Sequence, residues 1–265
     1  MARAIGSPTN PLVKRLVRLR DRRARDAEGV ALVEGAREVV RALDGGWRPR
    51  LIATCAALAS PAVTGHADRL DAAAVERVEL SAAAFAKVSL RQHPDGIVAL
   101  FEPPDLDLAG LAWPDDGLYL VADGLEKPGN LGALLRTADA AGVDAVFVTG
   151  RGTDLHNPNV VRASMGSLFS RPVLAVEPDE LRAKLRRQAV RLVVTSPAAE
   201  CDLWDADLRG PTAIVLGTEH AGLSPAWLAT ADERVRVPMR GLADSLNVAT
   251  TGALLLFEAR RQRRV

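Results

Sequence analysis

Three polar clusters interrupt otherwise apolar stretches: Asn130 to Arg136, Gly217 to Gly222, and Ser245 to Asn247. Each stands at the end of a strand-like run or at the start of a helical one. Amides, hydroxyls and a guanidinium at such points can cap helices and shape turns, or can hold a ligand where open α/β sheets bind theirs, beyond the strand ends. Arginine's planar fork suits a phosphate. The third cluster opens a run in which Val248, Ala249, Ala253, Leu254, Leu255, Leu256 and Phe257 point in every direction at the helical period. No solvent face is expected there before Glu258 and Arg260, so the helix has to be buried. Arg240, Asp244, Ser245 and Asn247 lie at its mouth, and Ser245 as a plain N-cap is the alternative to a binding role.

Several familiar chemistries lack their residues. There is no GxGxxG after a strand and no GxxxxGK[ST], so dinucleotide and Walker-type phosphate loops lose their main support. No GxSxG elbow occurs, and His66, His93, His156 and His220 are scattered without HxxxH spacing. Cys55 and Cys201 stand far apart, which rules against a zinc cage and reads as two small buried apolar residues.

At 265 residues and 48% hydrophobic content the chain can build one large core or two ordinary ones. No run of ~18 apolar residues occurs and residues 1–10 lack the apolar core of a signal peptide, so a cytoplasmic location is expected. Strands at 31–33, 50–53, 75–80 and 96–101 with helices at 36–43 and 81–88 form a small α/β unit. Pro103, Pro104 and the glycine and proline breaks that follow read as a linker, giving domains at 1–104 and 117–265 joined by 105–116. The second domain opens with a βαβ unit: a strand at 118–121, a helix at 131–141 and a strand at 145–148. Further strands are expected at 173–176, 192–195 and 213–216, with a helix at 178–189.

The formal charge of +1 hides a basic N-terminus, almost all of it arginine, although a GC-rich coding sequence yields the same excess. Ser7 or Asn10 can cap a helix starting at Pro11, on which Lys14, Arg15, Arg18, Arg22 and Arg25 fall within about a 100° arc. Leu12, Leu16 and Leu19 would anchor its other side. Such a face is either solvated surface or a contact for RNA phosphates.

Together the three clusters resemble the motifs of the SpoU (TrmH) family of RNA ribose 2'-O-methyltransferases, in the SPOUT superfamily. The first, residues 123–142, carries Asn130 and Arg136 at the family's asparagine and arginine. The second, 214–224, carries Glu219, with Thr218 where the family usually has asparagine. The third, 237–248, carries Ser245 and Asn247, and the stretch 162–173 also fits. The resemblance spans 117–260. More weakly, the N-terminal part resembles the ribosomal-protein-like substrate-binding domain of members that modify ribosomal RNA.

The resemblance implies an α/β fold: a C-terminal SPOUT-type domain with a deep trefoil knot, preceded by a smaller α/β substrate-binding domain. General topology rules would not propose the knot. S-adenosylmethionine is the implied cofactor, held by Thr195, Leu216, Gly217, Val237, Met239, Ser245, Leu246 and Asn247, and no metal is required. The implied catalytic set is Arg136, Asn130, Glu219, Ser245 and Asn247, in a homodimer built on the C-terminal helix. Methyl transfer from a sulfonium to a ribose hydroxyl is an in-line displacement, which needs alignment and loss of the hydroxyl proton. Arg136 gripping a phosphate, with the proton leaving through that phosphate or a water, meets both needs. Ribosomal RNA is the expected substrate because of the long N-terminal part. The alternatives are transfer RNA as substrate, a catalytically inert RNA-binding assembly factor, and a nicotinamide oxidoreductase without the glycine fingerprint.

Overall fold

The structure, a computed structural model, describes residues 3–73, 75–152, 154–218 and 222–263. It divides into two compact units, Met1–Asp105 with His156–Ser170, and Leu106–Leu155 with Arg171–Val265. In the first unit the strands lie in the order Arg3–Ile5, Glu76–Leu80, Arg48–Thr54, Ile97–Glu102, Ala31–Glu34. The first three are parallel, and Ile97–Glu102 runs antiparallel to both its neighbours. Ile97 to Phe101 are all buried, which is why that strand reads as an unbroken apolar run.

The single helix expected to carry the N-terminal basic face is corrected by the structure. In place of one helix there are two, Pro11–Arg18 and Arg22–Glu28, because Asp21 caps the second by accepting from the Arg23 amide at 2.9 Å. Asn10 caps the first, and Val13, Leu16 and Leu19 are its buried anchors, with Leu12 only partly covered. Arg25 is 2% exposed and donates to the carbonyls of Leu19 and Arg20 at 2.9 and 2.7 Å, a structural role that removes it from any RNA-binding face. Arg15 and Arg18 clamp Glu28 at 2.8 and 2.7 Å, and Arg22 lies 3.4 Å from Asp26. Burial raises the Glu28 pKa, yet the hydrogen bonds from Arg18 and Arg15 outweigh it and hold the carboxyl below its ordinary value. Lys14 stays exposed.

Helix Pro158–Ala163 and the turn after it belong to this first unit. Met165 and Gly166 both take positive φ, 55° and 85°, and a Cβ on Gly166 would stand 2.8 Å from Cδ of Arg41. Arg41 in turn donates to the Met165 carbonyl at 2.9 Å. The rings of His156 and Phe169 meet Trp47 edge-on, with centroids 5.5 and 4.9 Å apart.

The second unit is built on a seven-stranded parallel sheet in the order Cys201–Asp202, Glu233–Arg236, Arg191–Thr195, Thr212–Leu216, Leu118–Asp123, Ala145–Thr149, Val173–Ala175. Thr212–Leu216 and Leu118–Asp123 are buried at every residue, as a parallel sheet covered on both faces requires. Residues 106–117 contain no helix or strand; Leu108 inserts into the core and Trp113 stacks on Phe147 at 5.9 Å.

Helix Val248–Gln262 packs on helix Pro128–Ala140 and on strand Thr212–Leu216. Gly252 permits the approach, since a Cβ there would stand 2.8 Å from Cδ1 of Leu216 and closer still to Leu134. The expected burial pattern of this helix fails at two places. Glu258 is buried at 7% exposure with Arg261 and Gln262 bound to it at 2.7 and 2.9 Å, whereas Phe257 is 51% exposed. Leu255 and Leu256 are fully covered by the chain itself. Cys55 is buried as expected, but Cys201 is only half-buried, 3.5 Å from the Glu233 carboxylate. Among the described residues no helix is long and apolar enough to cross a membrane, and no group of His, Cys, Asp and Glu could hold a metal ion.

Candidate active site

Thr195, Leu216 and Arg236 end three strands that lie side by side in one parallel sheet, and a cavity of about 360 Å³ opens just beyond them. This is where open α/β sheets hold ligands, and the size suits a nucleoside-sized molecule. Leu216, Val235, Leu223 and Leu228 give it an apolar floor. One wall is the turn that follows Leu216, closed by reciprocal Thr218 and Gly222 backbone hydrogen bonds of 3.1 Å. Gly217 can only be glycine here, because a Cβ would stand 2.5 Å from the carbonyl group of Gly222 and 2.7 Å from the Leu223 amide. The opposite wall is the segment from Val237 to Leu246, continued by Val248 and Thr251 of the last helix.

Of the residues expected to hold a cofactor, Thr195, Leu216, Gly217, Val237, Met239, Ser245 and Leu246 line this cavity together. Asn247 does not line it. Its Oδ1 accepts from the Ala249 amide at 2.9 Å, which makes Asn247 and not Ser245 the N-cap of the last helix. Asn247 also donates from Nδ2 to Oδ1 of Asn130 at 3.2 Å, so the first and third motifs are joined directly. Glu219 lies outside the described residues. Asp244, Thr218 and Thr251 line the cavity as well and were not assigned to it from the sequence. Asp244 carries the one carboxylate among the described lining residues, a counter-charge for a cationic ligand. Its position two residues from the expected Leu246 was the available signal.

Arg136 is exposed on helix Pro128–Ala140, six residues beyond Asn130, hence about 9 Å further along the axis and some 120° around it. It is not a lining residue. No hydrogen bond or ion pair joins its side chain to Asp139 or to any other described residue, so its fork is open to a ligand.

Residues 117–257 match the SpoU rRNA Methylase family. The chain belongs to that family. Residues 10–99 match the MRM3-like substrate binding domain. A 23S rRNA (uridine(2479)-2'-O)-methyltransferase of Streptomyces viridochromogenes is 34% identical, over 92% of this chain and 87% of that protein. The 23S rRNA (guanosine(2553)-2'-O)-methyltransferase RlmP of Bacillus subtilis is 31% identical, over 97% of this chain and 98% of its own. An AdoMet-bound rRNA methyltransferase from Sinorhizobium meliloti superposes with a TM-score of 0.91 at 31% identity, covering 100% of this chain and 99% of that one. The SpoU family's two-domain α/β layout is therefore shared across nearly the whole chain.

Proposed function

We infer that this SpoU family member transfers the methyl group of S-adenosylmethionine to a ribose 2'-hydroxyl of ribosomal RNA, of the 23S type, in the cytoplasm. The observation that carries the reading is the cavity at the ends of three parallel strands, walled by the second and third motifs and tied to the first through Asn247 and Asn130. S-adenosylmethionine, when bound, supplies a methyl group on a positively charged sulfonium. Asp244 on the wall offers the opposite charge, and the Gly217 turn leaves room for a ligand beside the backbone. Asn247 and Asn130 fix the entry of the last helix, and Arg136 grips a phosphate beside the target ribose. Residues 1–104 present the RNA and 105–116 connect them to the methyltransferase domain, 117–265.

Incubating the protein with methyl-labelled S-adenosylmethionine and unmodified ribosomal or transfer RNA tests this. Label should enter ribosomal RNA at a site that resists alkaline cleavage, because a methylated 2'-oxygen cannot attack its own phosphate. Label in transfer RNA alone would move the substrate. Binding of both RNA and cofactor without transfer would leave an assembly factor on the same fold.

We further propose a homodimer through the last helix and a trefoil knot around it. Phe257 is 51% exposed, and Thr250, Leu254 and Phe257 recur at helical spacing on its outward side. Light scattering should give twice the chain mass at micromolar concentration, and a monomer there would sink the dimer. Threading should make refolding from denaturant far slower than ordinary α/β folding; recovery within milliseconds would exclude the knot.

A further inference from the structure

Segment His156–Ser170 falls inside the stretch that matches the methyltransferase family, yet it packs in the first unit. There it brings Arg162 to an open depression of about 540 Å³ lined also by Arg37, Arg91 and His93. The contributing pieces are distant in sequence: Arg37 comes from helix Ala36–Asp44, Arg91 and His93 from the loop before Ile97–Glu102, and Arg162 from helix Pro158–Ala163. One acid of this region, Glu38, lies beneath the basic groups. Glu38, with a side chain 1% exposed, holds Arg37 at 2.7 Å and Arg91 at 3.1 Å, while Arg37 itself is 46% exposed. Asp95 and the Glu34 carbonyl take further donors of Arg91 at 2.9 and 2.8 Å. Gly35, at φ 111°, is what lets the Arg91 fork lie against the backbone, since a Cβ would stand 2.8 Å from its Cζ.

The outcome is a surface on which the Glu38 carboxylate is buried beneath Arg37 and Arg91 while Arg37 stays exposed. Arg162 is exposed, and its side chain makes no hydrogen bond or ion pair with any described residue. A fork placed beside two others that are already held by Glu38 is arranged for the non-bridging oxygens of a phosphate. The depression is open and not a closed cell, which suits a phosphodiester within a chain that continues on both sides. We propose that Arg162, Arg37 and Arg91 form a station for backbone phosphates of the RNA substrate, a reading that rests on the RNA-methyltransferase function above. It is built from residues other than the N-terminal arginines, of which Arg15, Arg18 and Arg22 pair with Glu28 and Asp26 and Arg25 binds backbone carbonyls.

Full-length Arg162→Gln and the double variant with Arg37→Gln would be compared with the unsubstituted protein for binding to deproteinised large-subunit ribosomal RNA across a salt series. The double variant should bind about 10-fold more weakly, with the slope of log affinity against log salt flattened by roughly one unit per arginine lost. Affinity for S-adenosylmethionine and the melting temperature of Arg162→Gln should not move. Arg15→Gln is the comparison, and its slope should stay at that of the unsubstituted protein. Wild-type affinity and slope in the double variant would overturn the station while leaving the function intact. If the unsubstituted protein shows no salt-sensitive RNA binding, the function itself fails and the station with it.

Discussion

Arg136→Ala is expected to lower methyl transfer by ~100-fold or more, which is about 2.7 kcal/mol of transition-state stabilisation, while leaving S-adenosylmethionine affinity unchanged. The separation follows from geometry. Arg136 does not line the cavity, and its side chain is exposed without a partner among the described residues, so its removal costs neither a cavity wall nor an ion pair. Single-turnover rates with cofactor affinity measured in parallel give the two numbers. Arg136→Lys then separates two mechanisms. Lysine loses its proton more readily but cannot make a bidentate contact, so a rate that rises with pH favours direct proton abstraction. A rate as low as that of the alanine variant at every pH favours phosphate gripping. Wild-type rates in both variants would remove Arg136 from the chemistry.

Gly217→Val should weaken S-adenosylmethionine binding by about 100-fold, the scale of an ångström-level misplacement of a ligand-holding wall. The atoms that a Cβ would meet at 2.5 and 2.7 Å are backbone atoms of Gly222 and Leu223, which cannot rotate aside as a side chain would. The turn closed by Thr218 and Gly222 has to open, and the cavity wall moves with it. Gly129→Ala is the matched control, because a Cβ on Gly129 meets nothing within 4 Å. Calorimetric titration of both variants reads the difference. Equal affinity in Gly217→Val and Gly129→Ala would show that this turn does not hold the cofactor.

The second unit's central strands were legible because a strand buried on both faces has no polar residue to break its run, as in Leu118–Asp123 and Thr212–Leu216. The two strands at one end of the sheet carry no such signal. Glu233–Arg236 buries only Val235, and Cys201–Asp202 spans two half-buried residues, so neither shows a period. At the cavity, the motif resemblance located Gly217, Val237 and Leu246, while spacing alone left Ser245 as the helix cap that Asn247 turns out to be. The single N-terminal helix became two for a local reason: Asp21 is a good capping residue, and Gly29 ends the second helix at φ 62°. Buried Glu258 was misread because its partners, Arg261 and Gln262, sit one turn later on the same helix. Nothing local could have assigned His156–Ser170 to the first unit. That assignment depends on Trp47 and Arg41, more than a hundred residues earlier.

Because the first unit is completed by His156–Ser170, it cannot finish folding when its own N-terminal stretch leaves the ribosome. At ~5–20 residues per second, the interval between Asp105 and Ser170 is roughly 3–13 s, during which the edge of Trp47 and the groove that receives Phe169 stay open to water or to other chains. The order of synthesis is thus not the order of assembly. An N-terminal fragment ending near residue 105 is a poor proxy for the native RNA-facing unit, and the vulnerable species for aggregation is the nascent chain that has passed residue 105 but not yet delivered residue 170.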